Sequence, residues 1–128
     1  MFNNLYIIIL AGGMGRRMQS DLPKVLHKIN NVPMIVHIIE EVTLLQPEKI
    51  IVVCGEHLEQ ISSTIYDSGH IVEYAYQSEP LGTGHAVLCC IEQIAEVDKK
   101  VLIICGDTPL INHDMLYNFI NNDCQMIA

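Results

Sequence analysis

The stretch Leu5-Tyr6-Ile7-Ile8-Ile9-Leu10-Ala11-Gly12-Gly13-Met14-Gly15-Arg16-Arg17-Met18 decides the fold. Its first six residues are continuously apolar and rich in β-branched side chains, which suits a strand covered on both faces rather than one alternating between core and water. The run ends in glycines, where the backbone can turn and come close to a ligand. A buried strand that stops at a glycine turn opens a β-α unit of a parallel sheet. Similar apolar runs recur at Lys49–Cys54, Ile71–Tyr76 and Val101–Cys105. Helical patterns lie between them. Pro33 suits a first helical position ahead of Met34, Ile35, Ile38, Ile39 and Val42. Leu58, Ile61 and Ile65 form a shorter amphipathic face. Ala86 to Ile94 is apolar nearly all round and is expected to pack deep. Asn112 caps a last helix, with Asp114 in its first turn and Met115, Leu116, Phe119 and Ile120 facing inward.

The order β-α-β-α-β-α-β-α predicts an α/β fold: a mostly parallel sheet covered by helices on both faces. With 128 residues, half of them apolar, and a mean hydropathy of +0.30, the chain accommodates one domain with a usable core. Gln125-Met126-Ile127-Ala128 reads as the start of a fifth strand, so residues 1–128 are expected to be one domain truncated at its C-terminus. Apolar runs are far shorter than the ~20 residues of a membrane span. The first basic residue, Arg16, follows the first apolar run, the reverse of a secretory leader. A cytoplasmic location with no membrane partner is expected. Cys54, Cys89, Cys90, Cys105 and Cys124 are odd in number and form no C-x-x-C, which argues for reduced core thiols over a disulfide framework or zinc site. The histidines form no H-E-x-x-H, and there is no G-x-S-x-G elbow.

A net charge of −8 disfavours nucleic acid as a partner. Yet Arg16, Arg17, Lys24 and Lys28 fall in one segment whose only acid is Asp21. The charge alone also suits a solvated surface loop; its place after the glycines points to a polyphosphate. Free N–H groups of the glycine turn can meet phosphate oxygens, and Arg17 and Lys24 add fixed positive charge. A Walker A loop is absent. A dinucleotide fingerprint would need glycine where Met18 stands, and an acid in the region that holds Asn30 to Pro33. At the end of the last strand, Cys105-Gly106-Asp107-Thr108-Pro109 puts a carboxylate where open α/β sheets bind ligands. Asp107 is either a turn-former or, paired with a polyphosphate loop, a ligand for Mg²⁺, which needs few protein donors. A third segment, Gln77-Ser78-Glu79-Pro80-Leu81-Gly82-Thr83-Gly84-His85-Ala86, turns into a helix. Gln77 carries a donor and an acceptor suited to a base edge. His85 reads as a packed or capping histidine rather than a catalyst.

These three motifs, in this order and along nearly the whole chain, resemble the N-acetylglucosamine-1-phosphate uridylyltransferase family, the pyrophosphorylase part of the bifunctional bacterial enzyme. Asp21-Leu22-Pro23-Lys24-Val25-Leu26-His27 and Leu81-Gly82-Thr83-Gly84-His85-Ala86 carry the resemblance to that branch of the nucleotidyltransferases. It implies a three-layer, Rossmann-like nucleotidyltransferase that moves a uridylyl group from UTP to N-acetylglucosamine 1-phosphate with Mg²⁺. Leu10, Ala11, Gly12 and Gly13 would then contact the uridine, and Arg17 and Lys24 the phosphates. Gln77, Gly82 and Thr83 would complete the nucleotide pocket. Cys105, Gly106 and Asp107 would line the site, with Asp107 on the metal. Met14 replaces a basic residue usual in the family, and Cys105 a common aromatic. The sugar contacts of the family's later segment are not among these residues. A noncatalytic nucleotide-binding remnant, or a transferase for another sugar phosphate or nucleotide, is the alternative. Self-association or a partner chain completing the domain is expected.

Overall fold

Four parallel strands in the order β5-β4-β1-β6 form the sheet that organises the described residues. The computed structural model describes residues 2–12, 22–79, 81–90, 92–94, 100–106, 108 and 112–121. In chain order its elements are β1 (Phe2–Leu10), a small hairpin of β2 (Lys28–Ile29) and β3 (Val32–Pro33), α1 (Met34–Thr43), β4 (Pro47–Cys54), α2 (Leu58–Asp67), β5 (Glu73–Tyr76), α3 (Thr83–Leu88), β6 (Lys100–Cys105) and α4 (His113–Asn121). The expected β-α alternation is borne out, with the hairpin added.

β1 runs between β4 and β6 and is buried on both faces, as its unbroken apolar run requires. Ile7 and Ile9 join Ile35 and Ile39 of α1, Ile61 and Ile65 of α2, and Leu116 and Ile120 of α4 in one cluster. Ile8 and Leu10 point the other way, to Ala75, Ala86 and Cys90. Ile7, Ile8 and Ile9 are all 0% exposed; burying such a side chain is worth about 1.5–3 kcal/mol. The chain steps outward from β1 to β4 to β5, then crosses back to β6 on the far side of β1. Because parallel crossovers keep one hand, reversing direction puts the connecting α3 on the opposite face. The reversal creates a switch point between β1 and β6.

Several boundaries differ from the sequence reading. Pro33 is extended (φ −55°, ψ 143°) and stands just outside α1. β5 starts at Glu73, because its register against β4 begins with Ile51 opposite Glu73, and Ile71 is left 91% exposed. The run after Gly82 forms a helix only through Leu88, which faces solvent; Ala86 and Cys90 are buried. Among the described residues α3 is the one helix on that face, and no described layer covers its far side. Asn112 does cap α4, its Oδ1 accepting from the Met115 N–H at 2.9 Å, yet Met115 itself is exposed. The hairpin turns on Asn30 (φ 52°) and Asn31 (φ 68°), two left-handed residues in a two-residue loop, where asparagine is tolerated. The suggested fifth strand at residues 125–128 lies outside the described residues. Cys54 and Cys90 are buried free thiols, and Cys89 and Cys105 are half-buried. Among the described residues, no helix is long and apolar enough to cross a membrane.

A candidate nucleotide site at the carboxyl ends of the strands

Hydrogen bonds carry the sheet past its formal ends and bring three motifs together. Leu10 pairs with Cys105, and the Gly106 N–H donates to the Leu10 carbonyl at 2.8 Å. The Ala11 N–H donates to Val53 O at 2.8 Å, and the Gln77 N–H to Cys54 O at 2.8 Å. Leu10, Ala11, Gly12, Gln77, Cys105 and Gly106 therefore share one rim, at the end of the sheet where open α/β folds place ligands.

Close approach demands glycine at one position on this rim and crowds a second. A Cβ on Gly106 would stand 2.9 Å from Leu10 O and 3.0 Å from Val25 Cγ1. A Cβ on Gly12 would stand 3.2 Å from Gln77 Oε1 and 3.2 Å from Gly55 N. Val25 is 0% exposed, in a single 3-10 turn over Lys24–Leu26 that follows Pro23. The Leu26 N–H bonds Pro23 O and the His27 N–H bonds Lys24 O, so Val25 and Leu26 anchor the turn in the core. Lys24 is held between them and Pro23, half-buried, next to the residue that packs on Gly106. Lys28 is exposed in the hairpin.

On the opposite side of Gly12, Gln77 is a buried polar side chain at 5% exposure. Its Nε2 lies 3.3 Å from Gly82 O and 3.0 Å from His85 Nδ1. Gly82 has φ +102°, which an L side chain rarely adopts, and precedes Thr83, the first residue of α3. Cys54, behind Gly12, is no nucleophile: burial pushes its thiol up to about 12. Cys105 turns toward the α3 face, among the partly buried residues there. Gly13, Arg17 and Asp107 lie outside the described residues, so the grouping rests on the others. The sequence missed Val25 as the clasp on Gly106 and His85 as partner of Gln77. The clue to the first is an apolar pair after Pro23-Lys24; to the second, a glycine turn short enough to fold the helix back over Gln77.

A sequence profile of the MobA-like NTP transferase domain matches residues 7–127. The chain belongs to this family. A probable UDP-N-acetylglucosamine pyrophosphorylase of Acanthamoeba polyphaga mimivirus is 46% identical over 121 residues, covering 93% of this chain and 48% of that protein. The bifunctional protein GlmU of Streptococcus agalactiae serotype V is 43% identical over 116 residues, covering 91% of this chain and 25% of its own length. The chain thus spans half or less of the length of these relatives. Among solved structures, HddC from Yersinia pseudotuberculosis, complexed with GMP-PN, superimposes with a TM-score of 0.78 at 26% identity, over 98% of this chain and 55% of that one. A nucleotidyl transferase from Methanothermobacter thermautotroptrophicus shares the fold, with a TM-score of 0.75 at 21% identity over 93% of this chain and 57% of that one. The resemblance drawn from the three motifs, and the α/β nucleotidyltransferase fold, are borne out.

Proposed function

We propose that the chain forms the nucleotide-binding part of a sugar-1-phosphate nucleotidyltransferase that transfers a uridylyl group from UTP to N-acetylglucosamine 1-phosphate. The observation that carries the reading is the clasp of Val25 on Gly106, which holds Lys24 beside the switch point while Gln77 stands at Gly12. A buried amide on one side and a fixed cation on the other suit the two ends of a nucleotide. The mimiviral relative, a probable UDP-N-acetylglucosamine pyrophosphorylase, supports uracil as the base and N-acetylglucosamine as the sugar.

In the reaction, an oxygen of the sugar phosphate attacks the α-phosphorus of UTP in line. The bond from that phosphorus to the pyrophosphate oxygen breaks, and pyrophosphate leaves with the electron pair. A phosphate monoester is already ionised, so no side chain has to remove a proton. Lys24 and Arg17 serve by binding and orienting the triphosphate and by offsetting its charge. Among the described residues no three His, Cys, Asp or Glu side chains gather as a metal cage. Magnesium needs none: Asp107 together with substrate phosphates is a sufficient donor set. Bound there, the ion would supply charge neutralisation and a template for the phosphates.

Two measurements on the purified chain test this. Calorimetry with UTP and Mg²⁺ is expected to show binding. Pyrophosphate release with UTP, N-acetylglucosamine 1-phosphate and Mg²⁺ is expected to be slow, because the chain spans 48% of its mimiviral relative and positioning of the second substrate is worth ~7–11 kcal/mol of barrier. Turnover of about 1 s⁻¹ or more would show that these residues suffice. Absence of UTP binding would overturn the reading.

A further inference from the structure

Gln77 has two amide atoms, and its neighbours decide which one faces a ligand. One end of the amide lies 3.3 Å from Gly82 O. A backbone carbonyl only accepts, so that end is the NH₂ group. The same NH₂ lies 3.0 Å from His85 Nδ1, and a donor there requires an Nδ1 without a hydrogen. The contact therefore makes Nδ1 the acceptor and places the ring hydrogen on Nε2. Oε1 is left at the rim, 3.2 Å from the Cβ position of Gly12, and no donor among the described residues bonds it. A flipped amide would set Oε1 against the Gly82 carbonyl, two acceptors in contact.

We propose that His85 is a positioning residue: its bare Nδ1, with the Gly82 carbonyl, locks the Gln77 amide so that the site offers a base an acceptor and no donor. The inference rests on the nucleotide reading of the rim. It also narrows the sequence expectation that Gln77 presents donor and acceptor together, since the donor is used inside the protein. Gly82 alone disfavours the flipped amide but leaves one amide hydrogen unbound. His85, carried on the first turns of α3, binds that hydrogen.

The experiment has a binding arm and a spectroscopic arm. His85→Asn keeps an acceptor, Oδ1, where Nδ1 stands; His85→Leu keeps bulk without one. By calorimetry, His85→Leu is expected to weaken UTP binding about tenfold and His85→Asn to recover it to within about threefold. Both are expected to leave tripolyphosphate affinity unchanged. Imidazole ¹⁵N shifts of the ligand-free wild-type chain are expected to show the Nε2–H tautomer at His85. An Nδ1–H tautomer would overturn the proposal. So would wild-type UTP affinity in His85→Leu, or equal losses of UTP and tripolyphosphate there, which mark a merely structural role. No UTP binding by the wild-type chain would overturn the nucleotide reading instead, and the imidazole shifts would still decide how the Gln77 amide is held.

Discussion

Val25 and Gly106 clasp the two halves of the site: Val25 Cγ1 stands 3.0 Å from the point that a Cβ on residue 106 would occupy. The Leu10 carbonyl stands 2.9 Å from the same point, so nothing larger than hydrogen fits without a shift in backbone. The turn that carries Lys24 and the strand that leads to Asp107 are thereby locked to β1.

Gly106→Ala is expected to destabilise the chain by about 1–3 kcal/mol, the usual cost of overpacking, and to weaken UTP binding with it. Gly84→Ala is the control: nothing lies within 4 Å of its Cβ position, and alanine favours a helix over glycine by about 0.5–1 kcal/mol. Urea denaturation compares the two. Equal stabilities would show that the clasp carries no strain.

Lys24→Ala is expected to lower triphosphate affinity by roughly ten- to a hundredfold, the loss of a charge-assisted contact worth ~1.5–3 kcal/mol. Lys28→Ala, on the exposed hairpin, is expected to change it little. Calorimetry with UTP decides, and matching small effects would remove Lys24 from the site.

Asp107→Asn is expected to abolish the enhancement of UTP binding by Mg²⁺. The amide preserves the size of the side chain but lacks the charge that a hard cation requires. A titration with and without the metal reads this directly. If magnesium helped the variant as much as the wild type, another residue would hold it.

At Asn31, with φ 68°, a β-branched residue is strained and glycine is not. Asn31→Val is expected to cost about 1–2 kcal/mol, and Asn31→Gly to be neutral or stabilising. The hairpin feeds α1: the Met34 N–H donates to His27 O at 2.9 Å, and His37 Nε2 donates to Ile29 O at 2.7 Å. Denaturation midpoints test the pair, and a valine variant as stable as wild type would argue against the left-handed turn.

Alkaline pH should weaken the fold in a defined window. Burial raises the Cys54 thiol from its ordinary 9.0 to about 12, and burial together with Cys54 raises Tyr74. Between those values the folded chain holds a proton that the unfolded chain has lost. Stability is therefore complete below about pH 9 and falls as pH rises toward 12, with a slope of at most ~1.4 kcal/mol per pH unit from Cys54. Cys54→Ala should flatten that slope. An unchanged pH dependence would place its origin elsewhere.

The sequence by itself determined the alternation of buried strands and amphipathic helices, because an unbroken β-branched run and a helical stripe are local signals of what each element must hide. It also determined the family, through three motifs whose glycines, cations and carboxylate stand at fixed spacings. Ile61 and Ile65 of α2, and Ile35 and Ile39 of α1, are buried as their periodicity requires. Tertiary structure alone decided the rest. Ile71, Leu88 and Met115 are apolar and exposed, because burial depends on strand register and on whether another layer covers that face. The Gln77 amide is turned by Gly82 and His85, and Gly106 is held by Val25 and Leu10. Such contacts join segments far apart in the chain, and no local pattern encodes which atoms meet until the sheet order brings the strand ends together.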